Sequence, residues 1–197
     1  QLRFGRKAPG NQTYYAQKDD DPRILLIRIA DKETLDRTLT DLRSKKIFSL
    51  TPEKVTEIRL IRQDQRLVFR KNASSGWVAE NKPALKLRTD KINAMLNQIT
   101  GARALEFVAE KAEDLKKYGL APSPALRLTL LAGNREETLL FGSKQQDRYY
   151  AQISGTAPII QVEQAFLEKL PASYEALEDS RLWSGQEAEV QKIVWGA

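Results

Sequence analysis

The beginning of this chain returns near its end, and that return constrains the fold more than any other feature. Leu2, Phe4, Gly5 and Lys7 reappear as Leu139, Phe141, Gly142 and Lys144, and Tyr14-Tyr15-Ala16-Gln17 reappears as Tyr149-Tyr150-Ala151-Gln152. A four-residue identity containing two aromatics, displaced by about 135 positions, marks an internal tandem repeat. The correspondence continues through Pro22 with Pro158, Leu35 with Leu170, Leu42 with Leu177, and Ile47-Phe48 with Leu182-Trp183. It restarts at Val55 and Ile58, which match Val190 and Ile193. The chain therefore divides into the second half of one unit over 1–50, a complete unit over 51–185, and a further first strand or C-terminal strand over 186–197.

Periodicity and punctuation give the contents of each unit. Leu2 to Gly5, Thr13 to Gln17 and Arg23 to Ile29 read as strands between Gly- and Asp-rich turns, followed by a helix from Lys32 to Arg43. The second copy repeats this with strands at Glu137 to Phe141, Arg148 to Ile153 and Ile159 to Val162. A helix from about Glu163 to Leu170 and a helical turn near Tyr174 to Leu177 follow. Between the copies, Val55 to Arg62 and Arg66 to Arg70 alternate apolar and polar residues as half-buried strands do, and Gly76-Trp77-Val78 reads as a third short strand. The clearest helix follows, with Thr89 as N-cap, Ile92, Met95, Leu96 and Ile99 on one face, and Gly101 at its end. A short helix from Glu113 to Tyr118, closed by Gly119, leads into a strand from Ala125 to Leu131. The fold class is α+β, with repeated units of antiparallel strands followed by a helix.

Composition narrows the chemistry. With 41% hydrophobic and 29% charged residues the chain is that of a globular protein, and no apolar run approaches the roughly 18 residues of a membrane-spanning helix. Gln1 is not an initiator Met, so the sequence is expected to be a fragment or a processed form. Without Cys or His, disulfides, thiolate nucleophiles, imidazole bases and the usual zinc ligand sets are excluded. The net charge of +6 comes from 32 Lys and Arg scattered among 26 Asp and Glu, which describes a mixed solvated surface and not a polyanion-binding block.

The candidate sites are few. Asp19-Asp20-Asp21 lacks the ligand alternation and glycine of an EF-hand loop, and its counterpart Ser154-Gly155-Thr156 has no carboxylate, so a hairpin turn is expected in place of a cation site. Phe4-Gly5 and Phe141-Gly142 are turn glycines at strand ends, not phosphate loops. Each tyrosine pair places one ring on either face of its strand, one toward the core and one outward. Trp77, Trp183 and Trp195 are expected in core packing. The cluster Arg43, Lys45, Lys46 aligns with Glu178, Ser180, Arg181 of the second copy, and forms a candidate partner-binding patch particular to one unit. No catalytic residue, cofactor site or metal site is legible.

The order Phe-Gly-x-Lys, Tyr-Tyr-Ala, a Pro-led strand, Leu42-Arg43-x-Lys45-x-Ile47-Phe48 and Pro52-Glu53-Lys54-Val55-Thr56-x-Ile58 is informative. With Gly76-Trp77 and Asp114-Leu115-x-x-Tyr118-Gly119-Leu120, it resembles a bacterial domain-of-unknown-function family, number 4340, commonly encoded beside gliding-motility-type ABC transporters. The resemblance spans essentially the whole chain and rests on strand ends and turns. It implies a membrane-anchored envelope protein with tandem units outside the cytoplasm, the anchor lying outside this chain. The function expected is a non-catalytic scaffolding or protein-interaction module beside ABC transporter subunits, with no nucleic acid partner. The alternative is a binding module for an anionic polymer, either envelope glycan or nucleic acid.

Overall fold

The computed structural model describes residues 2–10, 12–19, 21–35, 43–74 and 76–180. The chain divides into two compact units, residues 1–44 and 45–197. Expectations for Leu42, Leu182, Trp183, Val190, Ile193 and Trp195, and for the strand over 186–197, lie outside the described residues. The fold is mixed α+β with two antiparallel sheets. Among the described residues no helix is long and apolar enough to cross a membrane.

The N-terminal unit is a three-stranded meander: β1 (Leu2–Lys7), β2 (Thr13–Lys18) and β3 (Ile24–Arg28), followed by α1 (Ile29–Leu35). The helix begins three residues before the expected Lys32, because Arg28 and Asp31 pair through Nε to Oδ2 at 2.8 Å and anchor its first turn. Its expected continuation from residue 36 to residue 42 lies outside the described residues. Strands β1 and β2 pair Leu2 with Lys18, Arg3 with Gln17, Phe4 with Ala16 and Lys7 with Tyr14, so Gly5 and Arg6 together face Tyr15 across a bulge.

Among its described residues the C-terminal unit contains eight strands. In chain order they are β4 (Glu57–Arg62), β5 (Gln65–Asn72), β6 (Gly76–Ala79), β7 (Glu106–Ala109), β8 (Leu126–Ala132), β9 (Arg135–Gln145), β10 (Arg148–Ile153) and β11 (Ile159–Glu163). They assemble in the order β6-β5-β4-β8-β9-β10-β11-β7. Period-two alternation decides the buried face. Leu67, Leu60, Leu128, Leu139 and Ile153 form one row across five strands, and Leu126, Phe141, Ala151, Ile160 and Phe107 form the next. These rows lie in one core with Ile58, Phe69 and Trp77, joined by Ile47, Phe48 and Leu50.

That core is closed by α2 (Thr89–Thr100), which buries Ile92, Met95, Leu96 and Ile99, the predicted apolar stripe. Thr89 is not its N-cap. Arg88 holds that position, fixed by its N–H to the Leu177 carbonyl at 2.9 Å, and its guanidinium bonds Asp90 in the first turn. The expected helix at Glu113 to Tyr118 is a 3-10 turn at Leu115–Tyr118, because Asp114 accepts from the Lys116 N–H at 2.8 Å and Gly119 ends it at φ 68°. The last helix among the described residues, α3 (Gln164–Glu168), is shorter than predicted, and a 3-10 turn at Glu175–Leu177 follows.

Strands β9, β10 and β11 repeat the pairing of the N-terminal meander. Leu139 faces Ile153, Leu140 faces Gln152, Phe141 faces Ala151 and Lys144 faces Tyr149, with Gly142 and Ser143 across from Tyr150. The second ladder agrees as well. Tyr14 with Ile27, Tyr15 with Leu26 and Ala16 with Leu25 correspond to Tyr149 with Val162, Tyr150 with Gln161 and Ala151 with Ile160.

Away from the core, Glu57 is the hub of an ion-pair network. It accepts from Arg59 Nε and from Arg70 Nε, the latter at 2.8 Å, and Arg70 continues to Glu80 at 2.7 Å. Burial pushes the Glu57 carboxyl up, but the hydrogen bonds and charges of Arg59 and Arg70 outweigh this and hold it below the usual carboxylate range. A depressed folded pKa contributes stability that is present above the ordinary carboxylate range and lost as pH falls through it. Glu57→Gln is therefore expected to cost about 1.5 kcal/mol at neutral pH. The gap from the parent should narrow below about pH 4, as read by urea denaturation at several pH values.

Candidate interaction groove

Sequence reasoning singled out Arg43, Lys45 and Lys46. The first belongs to the N-terminal unit and the other two to the C-terminal unit. Lys45 lines a groove of about 500 Å³ with Gln98 and Gly101 at the end of α2, Arg103 and Leu105 in the following loop, Val162 at the end of β11, Phe166 on α3 and Lys169 just past it.

The groove is built by main-chain bonds. The Ala104 N–H donates to the Lys45 carbonyl at 2.7 Å and the Ile47 N–H to the Ala102 carbonyl at 3.3 Å, which sets Lys46 opposite Arg103 in an antiparallel bridge. The Leu105 N–H donates to the Gln161 carbonyl at 2.8 Å, and Lys45 Nζ donates to the Leu105 carbonyl at 2.9 Å. The half-buried Lys45 is thereby tied down as part of the wall. Arg103 and Lys169 are exposed cations at the rim, with Glu163 as the counter-charge, while Phe166 stacks on Phe141 with centroids 5.8 Å apart. The groove thus joins the apolar side chains of Leu105, Val162 and Phe166 to the charges of Lys45, Arg103, Glu163 and Lys169.

The other candidates resolve into structure. Asp21 accepts from the Arg23 N–H at 3.0 Å and from its guanidinium at 2.9 and 2.7 Å, and the Arg23 guanidinium holds the Asp21 carboxyl below its ordinary value. Asp19 pairs with Arg3 at 3.0 Å, and Asp20 lies outside the described residues. Among the described residues no group of three or more acidic side chains is placed to hold a metal ion. Tyr149 packs against the core and Tyr150 lies on the opposite face, as alternation requires. The outer ring is nevertheless half-buried, because Tyr118 meets it edge-on at 5.1 Å and its hydroxyl donates to Gln145. Trp77 is buried, with its indole N–H donating to Asn93 at 3.4 Å.

Sequence reasoning missed Arg103, Phe166 and Lys169, which carry no local signature and meet Lys45 only through the fold. It also missed the partly buried Arg62. Burial pushes its guanidinium down while it donates to the Pro171 carbonyl at 3.1 Å.

A family model described as Domain of unknown function (DUF4340) matches the chain twice, over residues 1–107 and 77–195. No curated protein and no solved structure matches it.

Proposed function

The chain belongs to the DUF4340 family, and from that premise we propose that it is a non-catalytic accessory module that works by protein contact. In this reading it is the extracytoplasmic part of a membrane-anchored envelope protein, built from tandem strand-then-helix units and serving beside ABC transporter subunits. The observation that carries the proposal is the meander present twice in one register, with the same bulge at Gly5 and Gly142. The double family match supports the repeat, and the groove at Lys45, Arg103, Phe166 and Lys169 supplies a contact surface.

The test is co-purification of the full-length protein with transporter subunits, before and after Arg103→Glu with Lys169→Glu. Capture of the subunits by the parent and its loss in the double variant are expected. Equal capture by both would remove the groove from the proposal.

The second reading, an anionic polymer ligand, is favoured by the three cations along the groove. Three phosphate contacts would weaken binding roughly 40-fold between 50 and 200 mM salt. Protein contact through Phe166 and Leu105 is expected to weaken much less over that range, because salt screens only the rim charges of Arg103 and Lys169 and not the apolar contact. A titration of the captured partner against salt separates the two.

A further inference from the structure

In the C-terminal unit a single continuous segment, Glu106 to Ala132, closes both edges and one face of the β9-β10-β11 meander. Strand β7 pairs with β11, setting Phe107 opposite Ile160, while β8 pairs with β9, setting Leu126 opposite Phe141. Between them the Leu115–Tyr118 turn lays the Tyr118 ring on Tyr150 and the Tyr118–Gly119 backbone on Gly142. A Cβ at Gly142 would lie 1.9 Å from the Tyr118 carbonyl oxygen, so this approach requires glycine. Under this cover Ile159 is 0% exposed and Gln161 8%.

Among the described residues, the N-terminal meander has the same positions without the cover. Ile24, the counterpart of Ile159, is 60% exposed, and Leu26, the counterpart of Gln161, is 61% exposed. Among the described residues no strand pairs with the outer edge of β1 or of β3. Edge strands are normally blunted by charge, proline or a bulge; β3 has a charge only at its last residue, Arg28, and none along Ile24-Leu25-Leu26-Ile27, while β1 carries Arg3, Arg6, Lys7 and the same bulge as β9, which pairs with β8 nonetheless. Gly5 stands where Gly142 stands, but a Cβ there would meet only Tyr15, at 3.6 Å. Its φ is also outside the left-handed region, so nothing in the described unit calls for glycine. A depression of about 220 Å³ lies at this point, lined by Gly5, Tyr15, Gln17 and Ile24 among others.

We infer that this face of the N-terminal meander is a docking surface for a further copy of the strand, Tyr-Gly turn, strand segment that the chain carries at Glu106 to Ala132. The occupant adds a strand to each outer edge, sets a tyrosine ring on Tyr15, and seats a backbone turn on Gly5. Edge-to-edge pairing of β3 with a second copy of the chain would cover Leu26 but leave the Gly5 depression and β1 uncovered. The inference rests on the repeat reading proposed above.

The experiment adds a synthetic peptide of residues 105–132 to the full 197-residue chain and reads amide hydrogen exchange with cross-strand nuclear Overhauser contacts. Exchange in Leu2–Lys7 and Ile24–Arg28 is expected to slow saturably by about tenfold or more, and a scrambled peptide should have no effect. Gly5→Val should keep the Phe4-to-Ala16 and Tyr15-to-Leu26 contacts but lose the protection, because a side chain there blocks the turn without disturbing the meander. Leu26→Lys, a second variant on the edge, should lose it as well. Several results would overturn the inference: no protection of a parent chain that shows those contacts, protection unchanged in Gly5→Val, or the same protection from raising protein concentration without peptide. Absence of the contacts themselves would overturn the repeat reading and the inference with it.

Discussion

Gly142→Ala is expected to destabilise the C-terminal unit by about 3 kcal/mol, at the upper end of the usual cost of overpacking, whereas Gly5→Ala stays within about 0.5 kcal/mol of the parent. The two glycines occupy the same place in the same bulge, so intrinsic propensity cancels in the comparison. What differs is the neighbour. At Gly142 the clash is with backbone, the Tyr118 carbonyl oxygen at 1.9 Å and its carbon at 3.0 Å, and not with the far end of a side chain that can swing aside. Relief would require the turn to move. It is held by the Gly119 N–H to the Lys116 carbonyl at 2.9 Å, by the Leu120 N–H to the Leu115 carbonyl at 3.1 Å, and by the Tyr118 ring on Tyr150. Urea denaturation of the full chain, followed by circular dichroism, measures both variants. A loss below about 1 kcal/mol for Gly142→Ala would mean that the turn does not sit on β9 in solution.

This contrast bears on what the sequence could reveal. Identity of Gly5 and Gly142 was legible as repetition, but the reason for glycine was not, because the atom that excludes a side chain belongs to Tyr118, 24 positions before Gly142. Strands β4, β5, β8, β9 and β10 were legible because Ile58 and Leu60, Leu67 and Phe69, or Leu128 and Leu130 alternate over enough residues to define a face. Strand β7 was not. Its four residues Glu106-Phe107-Val108-Ala109 alternate too briefly to stand out, and they become a strand because the β11 edge supplies a partner for Phe107 and Ala109. Sheet order was hidden for the same reason, since β8 inserts between β4 and β9 and β7 crosses to the far edge, decisions taken by packing over long loops. The groove was half legible. Lys45 stood out by charge, but Arg103 and Lys169 join it through the Lys45-to-Ala104 and Leu105-to-Gln161 main-chain bonds, which no spacing rule announces.

Leu96→Ala is expected to cost about 3 kcal/mol, within the range for a buried leucine truncated where the surroundings cannot collapse. Leu96 is 1% exposed and shares its helical stripe with Ile92, Met95 and Ile99 inside the core that also holds Ile58, Phe69 and Trp77. The sheet beneath is fixed by ladders on both sides of β4, so it has little freedom to move into the void. The effect should reach the groove, because α2 runs directly into Gly101, Ala102 and Arg103, and the Gly101 N–H is bonded back to the Asn97 carbonyl at 3.0 Å. Asn97→Ala, one position away on the exposed face, serves as the control and should change stability by no more than about 0.5 kcal/mol. Chemical denaturation of both variants, with amide exchange at Arg103 to Leu105, tests the stability and its transmission together. A Leu96→Ala loss below about 0.5 kcal/mol would place the stripe in solvent and make α2 a partner-binding helix instead of the lid of this core.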